Sequence, residues 1–63
     1  MDEKTKDDIL GAVLRSEPNV TNERLAKLSG YHAVTVDRGL KELEQDGFIR
    51  RHRVGRNRRI ELL

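Results

Sequence analysis

Residues 33–46 read Ala33-Val34-Thr35-Val36-Asp37-Arg38-Gly39-Leu40-Lys41-Glu42-Leu43-Glu44-Gln45-Asp46, and this stretch decides how the rest of the chain is read. Val36, Leu40 and Leu43 recur at helical spacing, so one side of an α-helix should face a core. The opposite side carries Thr35, Asp37, Arg38, Lys41 and Glu42. Gly47 follows at once and suits the left-handed position at which many helices stop. Glu44 and Asp46 oppose the helix dipole at that end, so geometry rather than charge sets the stop.

Working upstream, Tyr31 and Val36 stand at the spacing of a hydrophobic staple around the helix start. His32 is then the N-cap, a poorer one than Ser or Asp. Before it, Thr21 caps a short helix predicted over 22–28, with Val20 and Leu25 as its staple and Leu25, Ala26 and Leu28 as its buried side. Arg24 stands where a capping box would want Glu or Gln. Gly30 supplies the positive φ of a tight turn between the two helices. A first helix is predicted over 2–16, with an apolar stripe of Ile9, Leu10, Val13 and Leu14 and with acids at its start. Glu17-Pro18-Asn19 ends it.

Downstream, residues 48–63 read as a hairpin of two strands, 48–54 and 58–63. Gly55-Arg56 fits a two-residue turn, and a longer loop with Asn57 in a left-handed conformation is equally allowed. The strand alternates Arg58, Ile60, Leu62 on one face and Arg59, Glu61, Leu63 on the other. Its base must pack on the helices, because an isolated hairpin is marginal in water. A third short strand at Asn19-Val20-Thr21 is open to it.

The whole is expected to be a single domain over 1–63, small enough that its core is limited. Net charge is only +2, but it is sorted. Residues 1–30 hold five Lys/Arg against six Asp/Glu, and residues 31–63 hold eight against five. Between Gly47 and Ile60 lie six arginines, His52 and no acid. Such a patch on a near-neutral chain points to a polyanion.

Several function classes fall away. There is no cysteine, and the two histidines, His32 and His52, lack metal-ligand spacing, so neither metal nor other cofactor is expected. Ser16 and Ser29 have no nucleophile signature, and Gly55-Arg56-Asn57-Arg58-Arg59 lacks the Lys-Ser/Thr of a phosphate-binding loop. The chain is read as no enzyme. Neither a signal peptide nor a membrane span is expected, which makes the cytoplasm, or the nucleoid, the default location.

The run Leu25-Ala26-Lys27-Leu28-Ser29-Gly30-Tyr31-His32-Ala33-Val34-Thr35-Val36, continued by Leu40-Lys41-Glu42-Leu43-Glu44 and Gly47-Phe48-Ile49, resembles the winged helix-turn-helix family. The resemblance covers essentially the whole chain. Its implied fold is mainly α with a small β-hairpin: three helices and a two- or three-stranded antiparallel wing. Two residues depart from the family pattern. His32 stands where Ser or Thr is usual, and Gly39 interrupts the third helix, which suggests tight packing on the second.

The resemblance implies that the third helix enters the major groove of double-stranded DNA. Val34, Thr35, Asp37, Arg38 and Lys41 then read bases, with Arg38 suited to guanine and Val34 or Thr35 to a thymine methyl. His32, Arg51, Arg53, Arg56, Asn57, Arg58 and Arg59 would serve the backbone or minor groove. The bland counterparts are plain. Arg38 and Lys41 also have Asp37, Glu42 and Glu44 as local partners, and Tyr31 reads as turn packing rather than a base-stacking platform.

The function expected is that of a small transcriptional regulator. Its short recognition site leaves a homodimer, or a second copy on an adjacent half-site, to lengthen the contact, and a protein partner to regulate it. The alternatives are a protein-interaction or assembly module of the same fold, and RNA binding.

Overall fold

Asp2 opens the first helix by accepting the Thr5 N–H at 3.0 Å, and α1 (Glu3–Arg15) follows. The computed structural model describes residues 1–63 apart from Pro18 and Arg56, with Val54, Asn57 and Arg58 described by backbone alone. The expectation placed on Pro18 as the helix stop lies outside the described residues; α1 ends with Ser16 in extended conformation as its C-cap. Thr21 caps α2 (Asn22–Ser29), its hydroxyl accepting the Arg24 N–H at 3.2 Å. Thr21→Ala should therefore cost about 1 kcal/mol in a denaturant melt, and an unchanged midpoint would refute the cap.

Gly30, at φ 82°, turns the chain towards α3 (Ala33–Gln45). His32 precedes α3 without a side-chain cap bond, the weak cap that the sequence suggests. At the far end the Gly47 N–H reaches Glu44 C=O (3.1 Å) and the Phe48 N–H reaches Leu43 C=O (3.0 Å). Those two bonds, with Gly47 at φ 85°, form a Schellman motif that satisfies the last carbonyls.

The wing is a two-stranded antiparallel sheet, β1 (Ile49–Val54) against β2 (Asn57–Leu62). Its register, from Ile49↔Leu62 to Val54↔Asn57, places Asn57 in the strand opposite Val54, so the longer loop through Asn57 does not form. Gly55 is at φ 61°, as primed hairpin turns require at their first central residue. Asn57 belongs to β2, and among the described residues no third strand forms at 19–21.

The core gathers Ile9, Ala12 and Val13 from α1, Val20, Leu25 from α2, Val36, Leu40 and Leu43 from α3, and Ile49 from β1. Leu10, Ala26, Leu28, Tyr31 and Ile60 pack against it. Each of the fully buried aliphatic side chains contributes roughly 1.5–3 kcal/mol, which lets so short a chain fold. The stripe on α1 differs from expectation. Ala12 takes an inward place and Leu14 is exposed, because 9, 12 and 13 share a helical face while 14 lies a further 100° round.

Gly39 is buried, and its neighbour is α1 rather than α2. A Cβ built there collides with Ile9 Cδ1 and comes within 3.4 Å of Met1 Sδ. The missing side chain thus lets α1 and α3 approach each other. Polar ties reinforce the arrangement at its rim. Lys6 meets Asp46 at 2.9 Å, Arg15 donates to Leu28 C=O at 3.2 Å, and the Tyr31 hydroxyl donates to Asp8 at 2.7 Å. Tyr31 is accordingly a packing residue whose polar end finds a partner.

Candidate nucleic-acid interface

The helical period that buries Val36, Leu40 and Leu43 leaves Val34, Arg38 and Lys41 on the outside of α3, at i, i+4 and i+7. All three are exposed, Val34 to 69%. Thr35 and Asp37 are half-buried on the flanks of that row, and His32 is exposed at its head. Among the described residues Arg38 forms no ion pair, whereas Lys41 meets Asp37 at 3.6 Å.

Across from Lys41, at the end of this row, stands β1. Its register places Ile49, Arg51 and Arg53 on the face towards α3, and Arg50 and His52 on the other, together with Arg59 and Glu61 of β2. A cleft of about 320 Å³ separates helix and strand, lined by Asp37, Lys41, Glu44, Arg51, His52 and Arg53. Arg53 is exposed there. Arg59 sits elsewhere, in a groove of about 270 Å³ shared with Val13, Leu14, Ser16 and Glu17 of the α1 end. His52 meets Glu61 at 3.1 Å. The wing cations expected as one set are therefore divided between two sides. Arg56, and the side chains of Asn57 and Arg58, lie outside the described residues.

Arg51 differs from the other wing cations. Its backbone N–H donates to Glu44 Oε2 at 3.0 Å, and its Nε and Nη2 both donate to Glu44 Oε1 at 3.2 Å. Nη1 reaches Asp37 Oδ1 at 3.4 Å. Its side chain is only 17% exposed. Asp37, the acid on the outward flank of α3, thus has Lys41 and Arg51 as counter-charges. That offsets the repulsion a lone carboxylate would present to a polyanion.

Glu44 is the residue that the sequence undervalues, visible there only as an acid unfavourable to the helix end. The signal lies in the period of two: Ile49 faces the core, so Arg51 faces α3, where Glu44 occupies the last turn. The Arg51 N–H, and after it the guanidinium, hold the Glu44 carboxyl below its ordinary value of 4.5. A carboxylate that binds its proton more weakly in the folded state stabilises the fold fully above that ordinary value. The contribution is lost as pH falls through the lowered one. Acid titration of stability should show a fall below about pH 4.5 that Glu44→Gln makes shallower, and a parallel curve for that variant would refute the coupling. Asp8, lowered first by the Tyr31 hydroxyl and then by Lys4, acts in the same direction.

Among the described residues no cluster of three or more His, Asp or Glu is placed to hold a metal, and no helix is long and apolar enough to cross a membrane. The arginines gather towards the hairpin tip, while apolar side chains are exposed at its base: Phe48, Leu62 and Leu63.

A comparison with curated proteins gives no match. The family model of the Crp-like helix-turn-helix domain matches residues 3–63, nearly the full length, and joins the three helices and the wing in one pattern. The chain belongs to the Crp-like helix-turn-helix family, a DNA-binding family of transcription regulation.

Proposed function

We propose that the protein is a sequence-reading double-stranded DNA-binding regulator in which α3 enters the major groove and the wing holds the flanking backbone or minor groove. The observation that carries this reading is the exposed row Val34, Arg38 and Lys41 on α3, whose last member, Lys41, lines the same cleft as Arg53. An α-helix fits a major groove about 12 Å wide. On this row Arg38 is the residue for a bidentate guanine contact, and Val34 and Thr35 meet thymine methyls. Arg53, Arg56, Arg58 and Arg59 supply cations for phosphates, with His32 and Asn57 as further donors. Asp37 contributes by restraining Lys41 and Arg51 rather than by approaching the backbone.

So short a row covers few base pairs, so a homodimer or a second copy on an adjacent half-site completes the operator. No catalytic role is assigned. A second reading, assembly with a protein partner, draws on the exposed Phe48, Leu62 and Leu63 at the hairpin base. It is compatible with DNA binding, because these residues lie at the opposite end of the hairpin from its arginine-rich tip.

The test is selection from a random duplex pool with structured RNA as competitor. Enrichment of a defined motif, resistant to the RNA, is the expected result. Absence of binding at low salt would remove the DNA reading. Binding without enrichment would remove α3 as a reader while keeping the wing.

A further inference from the structure

We infer that Glu44 and Arg51 form a latch that fixes the wing against α3, and that Arg51 serves recognition through this latch rather than by holding a phosphate. The inference rests on the DNA-binding reading given above and assigns one of its arginines a positioning role.

The geometry is specific. Glu44 accepts both the main chain and the side chain of Arg51, so a single carboxylate fixes where β1 runs and where its cation points. The same guanidinium reaches Asp37, seven residues earlier on α3. Seven residues of helix span about 10 Å, so Arg51 bridges two turns of the reader helix. Contact at two separated points resists rotation of the hairpin as well as translation. Among the described residues few other contacts perform this task. The hairpin joins α3 through Gly47 and Phe48, and among the described residues its apolar contributions to the core are Ile49 and, in part, Ile60. A two-stranded hairpin depends on such anchors for its orientation.

The electrostatics point the same way. Arg51 and Lys41 stand against Asp37 and Glu44, two cations beside two carboxylates. Three side-chain N–H groups of Arg51 are already engaged, out of the five a guanidinium offers. A phosphate approaching Arg51 would have to displace two carboxylates. Arg50, Arg53 and Arg59 are exposed and, among the described residues, form no ion pair, so they meet a polyanion without that competition.

A phosphate-binding arginine and a latch give opposite results in a salt titration of duplex binding. Removing a cation that neutralises one phosphate makes the slope of log K against log[salt] shallower by about 0.9. Arg53→Ala should show that change. Arg51→Ala should keep the wild-type slope and lose about tenfold in preference for the selected duplex over a scrambled one, roughly the discrimination of one base contact. Glu44→Gln should lose preference similarly, although it removes a negative charge and Coulomb attraction alone predicts tighter binding. Arg51→Lys supplies the milder variant: it keeps the cation and loses the fork, and should behave as Arg51→Ala does.

A shallower slope for Arg51→Ala with preference retained overturns the latch. So does a lysine variant indistinguishable from wild type, or a Glu44→Gln variant that binds both duplexes more tightly. In the free protein, residual dipolar couplings of the β1 and β2 amides relative to α3 should change in Glu44→Gln, while those of α1 relative to α3 stay fixed. Unchanged hairpin couplings overturn the latch without reference to DNA. Failure of the wild-type chain to bind any duplex instead overturns the DNA-binding reading, and with it the role given to Arg51.

Discussion

Gly39→Val is expected to lower the free energy of unfolding by about 2 kcal/mol and the thermal midpoint by roughly 8–16 °C. The position is buried on α3, and a Cβ there collides with Ile9 Cδ1, with Ile9 Cγ1 at 3.5 Å and Met1 Sδ at 3.4 Å. Ile9 is fully buried, so its terminal methyl has no solvent to swing into. Overpacking of this kind costs about 1–3 kcal/mol, whereas replacing glycine in a helix returns at most about 1 kcal/mol. The collision wins. A chain of this length has roughly 3–9 kcal/mol in total, so the loss is a large share of it. Gly39→Ala should fall between wild type and valine, since the smaller side chain collides less and gains more helix propensity. A valine variant as stable as wild type in a denaturant melt would show that α1 and α3 separate freely, against the close approach described.

The second large effect is the dependence of binding on salt. With about four phosphates neutralised by the wing, log K should fall against log[salt] at a slope near −3.6. Raising salt from 50 to 200 mM then weakens binding about 150-fold, an effect of electrostatics alone. Within that frame Arg38→Ala and Arg53→Ala separate the two surfaces. Loss of Arg38 should leave the slope nearly intact and relax preference at one position by roughly 1–3 kcal/mol. Loss of Arg53 should weaken all duplexes alike and flatten the slope by about 0.9. Equal behaviour of the two variants would mean that α3 and the wing do not divide the work.

How much of the molecule is legible in its sequence follows from the range of the forces involved. The buried face of α3 depends on a period within one helix, and Val36, Leu40 and Leu43 announce it. Thr21, Gly30 and Gly47 act on their immediate neighbours, so caps and turns are also readable. Leu14 is a different case. Its apolarity fits a stripe on α1, yet it lies exposed beside a groove formed with β2, and nothing local to α1 encodes that neighbour. Gly39 shows the same limit: the need for a small residue is visible, but the partner helix is not, because contacts between elements distant in sequence decide it. Arg51 lies one step further out. Six arginines in one hairpin look alike as a composition; the register puts Arg51 and Arg53 on the face towards α3, and Arg51 is the one that meets Glu44 there.

Glu44 also closes a border of the sheet. The Leu63 N–H bonds to Phe48 C=O at 3.0 Å, and the antiparallel alternation then turns the N–H and C=O groups of Ile49, Arg51 and Arg53 away from β2. An open row of that kind invites a strand from another molecule, the first step of domain exchange or fibril growth. The carboxylate occupies the middle N–H of the row, and charged side chains flank it at Arg50 and Arg53. A strand added along β1 would have to displace that carboxylate. Two copies brought close together on neighbouring sites thus have no ready route to sheet fusion on this side.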